Sequence, residues 1–229
     1  MSNKQRSTKC RTTAIREKLV KENHVVAIFH SRLLKGQKID ADTGAKITDQ
    51  YYVFKVTNRE YPDKKSILYC GTHAAADFFR KTGQKPLPIF DPLKSEHSSA
   101  SSCDGGGDTN KIRWNPLALE LRNMCGLILC AWGANAIKKY PDGPLQKVLY
   151  ELIKRPLYEP SLLQIKSINT VLGLDKDTRD MYEIVAFLRS SNPTLKNYTF
   201  ELIHNFLKER GIHSNVKKEK ENGPRQKLE

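Results

Sequence analysis

The spacing of apolar positions changes once along the chain. In the first third they fall in short runs, His24-Val-Val-Ala-Ile-Phe29, Tyr51-Tyr-Val-Phe-Lys-Val-Thr57 and Ser66-Ile-Leu-Tyr-Cys70, all rich in β-branched and aromatic residues. Side chains of that shape pack well on a pleated surface, so the runs predict three strands. The stretch Asn58 to Lys65 holds the turn-forming pair Pro62-Asp63, which predicts an antiparallel hairpin between the last two strands. Ile15, Leu19 and Val20 recur at helical spacing and predict a short helix over Thr12 to Glu22. Ala74 to Lys81 predicts another, stopped by Gly83.

Beyond Asn110 the period is that of helices throughout. Leu145, Val148, Leu149, Leu152 and Ile153 form one apolar stripe, Met181, Ile184, Val185 and Leu188 a second, and Leu195, Leu202, Ile203 and Phe206 a third. Proline in a first helical turn removes only an amide that has no partner there. Asn115-Pro116, Gly143-Pro144, Glu159-Pro160 and Asn192-Pro193 therefore read as helix starts. Starts near Pro144, Pro160, Lys176 and Pro193 would recur about every 16 to 17 residues. No residue-level repeat accompanies that spacing, so a compact bundle is expected rather than a stacked array.

The two patterns are separated by residues with little to bury. Pro86, Pro88 and Pro92 interrupt the chain before Leu93, and Ser95 to Asp108 is rich in serine and glycine. The expected organisation is a basic arm and mixed α/β region over 1–94, a linker over 95–110, a helical bundle over 111–213 and a basic tail over 214–229. The fold class is α+β: a small antiparallel or mixed sheet with flanking helices, followed by a mainly helical bundle.

Charge narrows the function classes. Lys and Arg total 39 against 25 Asp and Glu, a net charge of +14 in 229 residues, which suits a polyanionic partner. Lys4, Arg6, Lys9, Arg11, Arg16 and Lys18 lead the chain, and Lys217 and Lys218 stand near its end. Such arms neutralise phosphates without reading bases. Lys154, Arg155 and Lys166 add cations around the segment Ser161 to Leu174, whose polar side chains would suit a base-reading helix and equally the outer face of an ordinary bundle helix.

Two constellations carry enzyme or metal readings. Cys70 and His73, with His97 and Cys103, make a Cys2His2 set for zinc at irregular spacing. Pro62-Asp63-Lys64-Lys65 resembles part of the Pro-Asp…Asp/Glu-x-Lys pattern of restriction-type nucleases. Asp63 and Lys65 have its short spacing, Asp42 is a further carboxylate for a divalent metal, and the upstream acidic partner is not placed. Asp42-Thr-Gly44 also matches the tripeptide of aspartic proteases but lacks that family's second motif.

No apolar stretch is long enough for a helical membrane span, and Met1 to Arg11 does not read as a secretory signal. Five cysteines, an odd number scattered through a chain of this size, suggest reduced thiols and an intracellular setting, cytoplasmic or nucleoid/nuclear. The leading expectation is a nucleic-acid-binding protein using its basic termini and a basic face. The alternatives are a metal-dependent nuclease, needing a divalent metal or zinc, and a scaffold whose helical half binds a protein partner or a second copy of the chain.

Overall fold

The structure, a computed structural model, describes residues 9–93, 113–133, 135–138 and 140–217. The chain runs through α1 (Thr13–Glu22), β1 (Asn23–Arg32), β2 (Ile39–Asp40), β3 (Lys46–Ile47), β4 (Gln50–Asn58), β5 (Lys65–Gly71) and α2 (Thr72–Thr82). It continues through α3 (Pro116–Trp132), α4 (Asn135–Lys138), α5 (Pro144–Lys154), α6 (Leu162–Leu172), α7 (Met181–Ser191) and α8 (Glu201–Lys208). The fold is α+β, with an antiparallel three-stranded sheet ordered β1-β4-β5 and a separate two-stranded hairpin of β2 and β3. Helices precede and follow these strands.

Strand alternation divides the sheet into two apolar faces. Tyr52, Phe54 and Val56 of β4, with Leu68 and Cys70 of β5, pack beneath α1 and α2 against Ala74, Ala75, Phe78 and Phe79. Tyr51 and Val53, with Ile67 and Tyr69, face the opposite way and join the core of the helical half. A register shift between Ala27 and Phe29 adds one residue to β1, so Ile28 and Phe29 both turn to that second face. The core therefore runs without a break from β1 to Val216 and includes both sides of the expected linker.

The outer edge of β1 is covered by the proline-rich segment. Gln84 hydrogen-bonds both Val25 and Ala27, and Phe90 bridges Ser31 through Phe90 N to His30 O at 2.8 Å and Arg32 N to Phe90 O at 3.2 Å. Prolines deny this segment a full ladder, yet it satisfies the edge that would otherwise invite another strand. The buried Phe90 ring lies directly over Gly126 of α3, where a Cβ would stand 2.6 Å from it. Glycine is what lets α3 approach the strand layer so closely.

In the helical half, α3, α6, α7 and α8 have N-termini closed by side chains of the protein, whereas α5 starts on Gly143 without one. Asn115 Oδ1 accepts from Leu117 N and Ala118 N at the start of α3, and Ser161–Gln164 and Asp180–Glu183 form reciprocal capping boxes on α6 and α7. Helix α8 starts on Phe200, which offers no side-chain cap, and Glu120 Oε2 of α3 accepts from Ile203 N at 3.0 Å instead. Burial raises the Glu120 pKa, outweighing the backbone donors that favour its charged form.

Two expected helix starts move and a third is not used. The helix assigned to Pro160 begins at Leu162, because Ser161 supplies the cap; the one assigned to Lys176 begins at Met181, behind the Asp180 box. Pro193 starts no helix. Asn192 terminates α7 and uses its side chain on Lys35 N and Leu188 O, and the chain stays irregular until Glu201 while burying Leu195 and Tyr198. The spacing of about 16 to 17 residues is thus not a property of the structure. No described helix is long and apolar enough to cross a membrane.

Candidate polyanion-binding cleft

Helices α1 and α2 lie side by side on the sheet with their N-terminal ends together. Arg16 of α1 reaches Asp77 of α2 at 2.6 Å, and Lys81 near the end of α2 lies 3.8 Å from Glu17. Parallel alignment brings two positive dipole ends close to each other, an arrangement that an anion between them relieves. Neither helix carries an acidic residue in its first turn. Thr12 caps α1 by accepting from Ile15 N, whereas α2 begins on Gly71 with no side-chain cap.

These ends open into a cleft of about 570 Å³. Its walls are Arg11 to Thr13 and Arg16 on one side, Gly71 to Ala74 on another, and Thr43 with Ala45 to Gln50, from the β2–β3 hairpin and its connection into β4, on the third. Arg11, Lys46 and His73 are exposed there. The acidic residue of the lining, Asp49, is engaged by Arg32 at 3.1 Å. The hairpin reaches the cleft through a tight turn in which Ala41 N donates to Ala45 O at 2.8 Å and Gly44 takes φ +87°, a left-handed conformation that strains other residues.

Arg16 has a different task from Arg11, although both belong to the same basic run. It is buried, and its guanidinium donates to Asp77 Oδ2, to the carbonyls of Cys10 (2.9 Å) and Arg11 (3.0 Å), and to Thr13 Oγ1. Its donors thereby fix the backbone that presents Arg11. Burial alone would raise the Asp77 pKa, but bonds from Arg16 and Arg80 outweigh it and hold the carboxyl below the usual carboxylate range.

The other expected phosphate ligands are scattered. Lys9 is exposed just before Cys10, and exposed Lys18 lies 3.7 Å from Glu22 within α1. Lys154 and Arg155 end α5, Lys166 is exposed on α6, and Lys217 lies 3.8 Å from Glu201. Lys4, Arg6 and Lys218 lie outside the described residues.

The nuclease set is not brought together. Asp42 is buried, with Oδ2 accepting from Tyr69 N at 2.8 Å and paired with Lys138 at 3.1 Å. Asp63 is in the exposed turn before β5, and Lys65 at the start of that strand binds Asp142. Tyr69 is four residues beyond Lys65, so Asp42 stands about 13 Å along the strand from it. The Asp42-Thr-Gly44 tripeptide makes the hairpin turn. Of the zinc set, Cys70 is buried against Cys10 while His73 lines the cleft, and His97 and Cys103 lie outside the described residues. Among the described residues no group of three or more His, Cys, Asp or Glu side chains is placed to hold a metal ion.

Lys46 and the amide end of α2 are the parts of the cleft that the sequence reading omits. A signal for the second was present: a strand running into Gly71-Thr-His73 with no acid in the helical turn that follows. Lys46 gives no local signal, because only the turn at Gly44 brings it there.

The sequence model of a family described as "Uncharacterised conserved protein UCP028583" matches residues 8–213. The chain belongs to that family. The match takes in α1, the whole sheet and α2 to α8, so the cleft lies inside the UCP028583 unit. No curated protein and no solved structure matches the chain.

Proposed function

We propose that this UCP028583 protein binds the phosphate backbone of nucleic acid, with the cleft between α1, α2 and the β2–β3 hairpin as its principal contact. The observation that carries this reading is the convergence of two helix N-termini with Arg11, Lys46 and His73 on one open cavity of about 570 Å³. Backbone amides and helix dipoles hold phosphate oxygens without reading bases, and exposed cations add counterion release. The net charge of +14 supports the same reading by drawing a polyanion to the surface. The protein's setting is intracellular in this account, where such ligands are found.

The test is fluorescence anisotropy with labelled single- and double-stranded DNA and RNA, in chelator, across a salt series. Expected is binding that weakens steeply with salt, survives at physiological ionic strength and ranks the four ligands. Weak, indiscriminate binding that vanishes near physiological salt would overturn the reading.

One observation favours a second role for the helical half. Leu157, Tyr158 and Leu163, 62%, 69% and 74% exposed, surround the turn between α5 and α6, an apolar surface that suits a protein partner. Retention of a partner by the native chain and its loss on Leu163→Glu, with nucleic-acid binding unchanged, would separate this role from the first.

A further inference from the structure

Two of the three chain segments that build the cleft touch through a pair of thiols. Cys10 and Cys70, 60 residues apart in sequence, are both fully buried, and their sulfurs lie 3.7 Å apart. Each immediately precedes a cleft residue, Arg11 and Gly71 respectively. Neither is loosely held. Cys10 N donates to Asp42 O at 3.1 Å and Cys10 O accepts from Arg16 at 2.9 Å, while Cys70 is paired with Tyr52 inside the sheet. A disulfide has a sulfur separation of about 2.05 Å, so closure asks the two atoms to approach by roughly 1.6 Å in total.

The pair is also chemically asymmetric. Contact with the Cys70 sulfur, aided by Arg16 and Lys138, lowers the Cys10 pKa against burial and Asp42, and the same contact, with burial, pushes Cys70 up. Arg16 donates to Cys10 O at 2.9 Å, so its cation stands beside the Cys10 thiol, and this placement makes Cys10 the thiol that reacts first and Cys70 the one that resolves it.

We propose that Cys10 and Cys70 close reversibly into a disulfide that staples the N-terminal ends of α1 and α2 together, so that oxidation strengthens the hold of the cleft on phosphates. The second half of this inference rests on the cleft being the polyanion site. With hydrogen peroxide as oxidant, the Cys10 thiolate attacks one peroxide oxygen and the O–O bond breaks. Cys10 becomes a sulfenic acid and the departing hydroxide takes up a proton as water. Cys70 then gives up its proton and its sulfur attacks the Cys10 sulfur; the S–O bond breaks and a second water leaves. Two thiols have lost two electrons, one peroxide has gained them, and a small thiol reverses the step by exchange.

Stapling restricts the segment that carries Arg11, so the oxidised cleft is better organised before it meets its ligand. Intact mass, and alkylation after the peroxide-treated chain has been unfolded in denaturant, followed by peptide mapping, test closure. Expected are a loss of 2 Da, protection of two of the five thiols, one Cys10–Cys70 linked peptide, and restoration by dithiothreitol. The melting temperature should rise by about 5 to 15 °C, and Cys10→Ser or Cys70→Ser should abolish both changes. Both thiols remaining alkylatable, or a gain of oxygen with no linked peptide, would overturn the disulfide.

Anisotropy with a labelled single-stranded DNA then reads affinity in the two states, expected to be roughly threefold tighter or more when oxidised. A linked peptide with equal affinity in both states overturns the control of binding. A linked peptide with no DNA binding in either state refutes the cleft as a polyanion site and leaves the disulfide standing.

Discussion

The helices on the two sides of the sheet begin in different ways, and the difference separates what stabilises the fold from what is left available. In the C-terminal half, Asn115, Ser161 and Asp180 close α3, α6 and α7, and Glu120 closes α8 from a neighbouring helix. Helix α5 starts on Gly143-Pro144, where the ring removes one of the open donors. On the opposite face α1 has one side-chain cap and α2 has none, and both ends line the same cleft. A basic protein that neutralises some helix ends internally and gathers two others beside exposed cations has kept positive potential where a ligand can reach it.

Removing Arg16 breaks this comparison most severely. Arg16→Ala leaves the buried Asp77 without its 2.6 Å partner and frees the carbonyls of Cys10 and Arg11, so a loss of about 3 to 5 kcal/mol in denaturant unfolding is expected. Gly126→Ala attacks the other face by placing a methyl 2.6 Å from the Phe90 ring, and should cost about 1 to 3 kcal/mol while leaving the cleft residues untouched.

Smaller effects come from the tie between the sheet and the helical half. Lys55 and Lys65 both donate to Asp142, whose pKa they hold down at about 2. A folded value below the unfolded one, about 4, means the contribution is complete above pH 4 and lost as pH falls through 2. Because these side chains are about a third exposed, the contribution is discounted to about 1 kcal/mol. Asp142→Asn should lower stability by that amount at pH 7, with the difference from the native chain closing as pH falls through and below 2. Arg11→Ala should shift stability least, within about 0.5 kcal/mol, while weakening nucleic-acid binding. Its contrast with Arg16 shows that adjacent charges in one basic run differ in role.

Much of the fold could be read from spacing alone. The β4–β5 hairpin follows from two β-branched runs around Pro62-Asp63, α2 stops at Gly83 where φ is +69°, and α3 and α5 start at Pro116 and Pro144. These are local effects, decided within a few residues. The α6 and α7 starts are also written locally, as Ser161-x-x-Gln164 and Asp180-x-x-Glu183, and these capping boxes prevail over the proline at 160 and the even spacing. Pro193 misleads for a tertiary reason: Asn192 is taken by Lys35 from 157 residues away. Lys38 to Asp49 has the polar composition of a turn between strands, yet it holds β2 and β3, which have two residues each and depend on burying Ile39 and Ile47 in the core shared with the helical half.

The cleft was legible only in part. Arg11 and His73 are visible in the sequence, as a phosphate ligand and as a zinc ligand respectively. Their meeting with Lys46 depends on two antiparallel connections and one hairpin turn that no short window contains. Net charge suits a polyanionic partner but does not distinguish Arg11, which is exposed, from Arg16, which is buried.

The most direct measurement is the salt dependence of nucleic-acid affinity in two double variants that remove equal charge from opposite halves, Arg11→Ala with Lys46→Ala and Lys154→Ala with Arg155→Ala. The account predicts that the cleft pair weakens binding for every sequence and lowers the slope of log affinity against log salt by about two, well beyond the effect of the α5 pair. Equal slopes and affinities for the cleft variant and the native chain would contradict it.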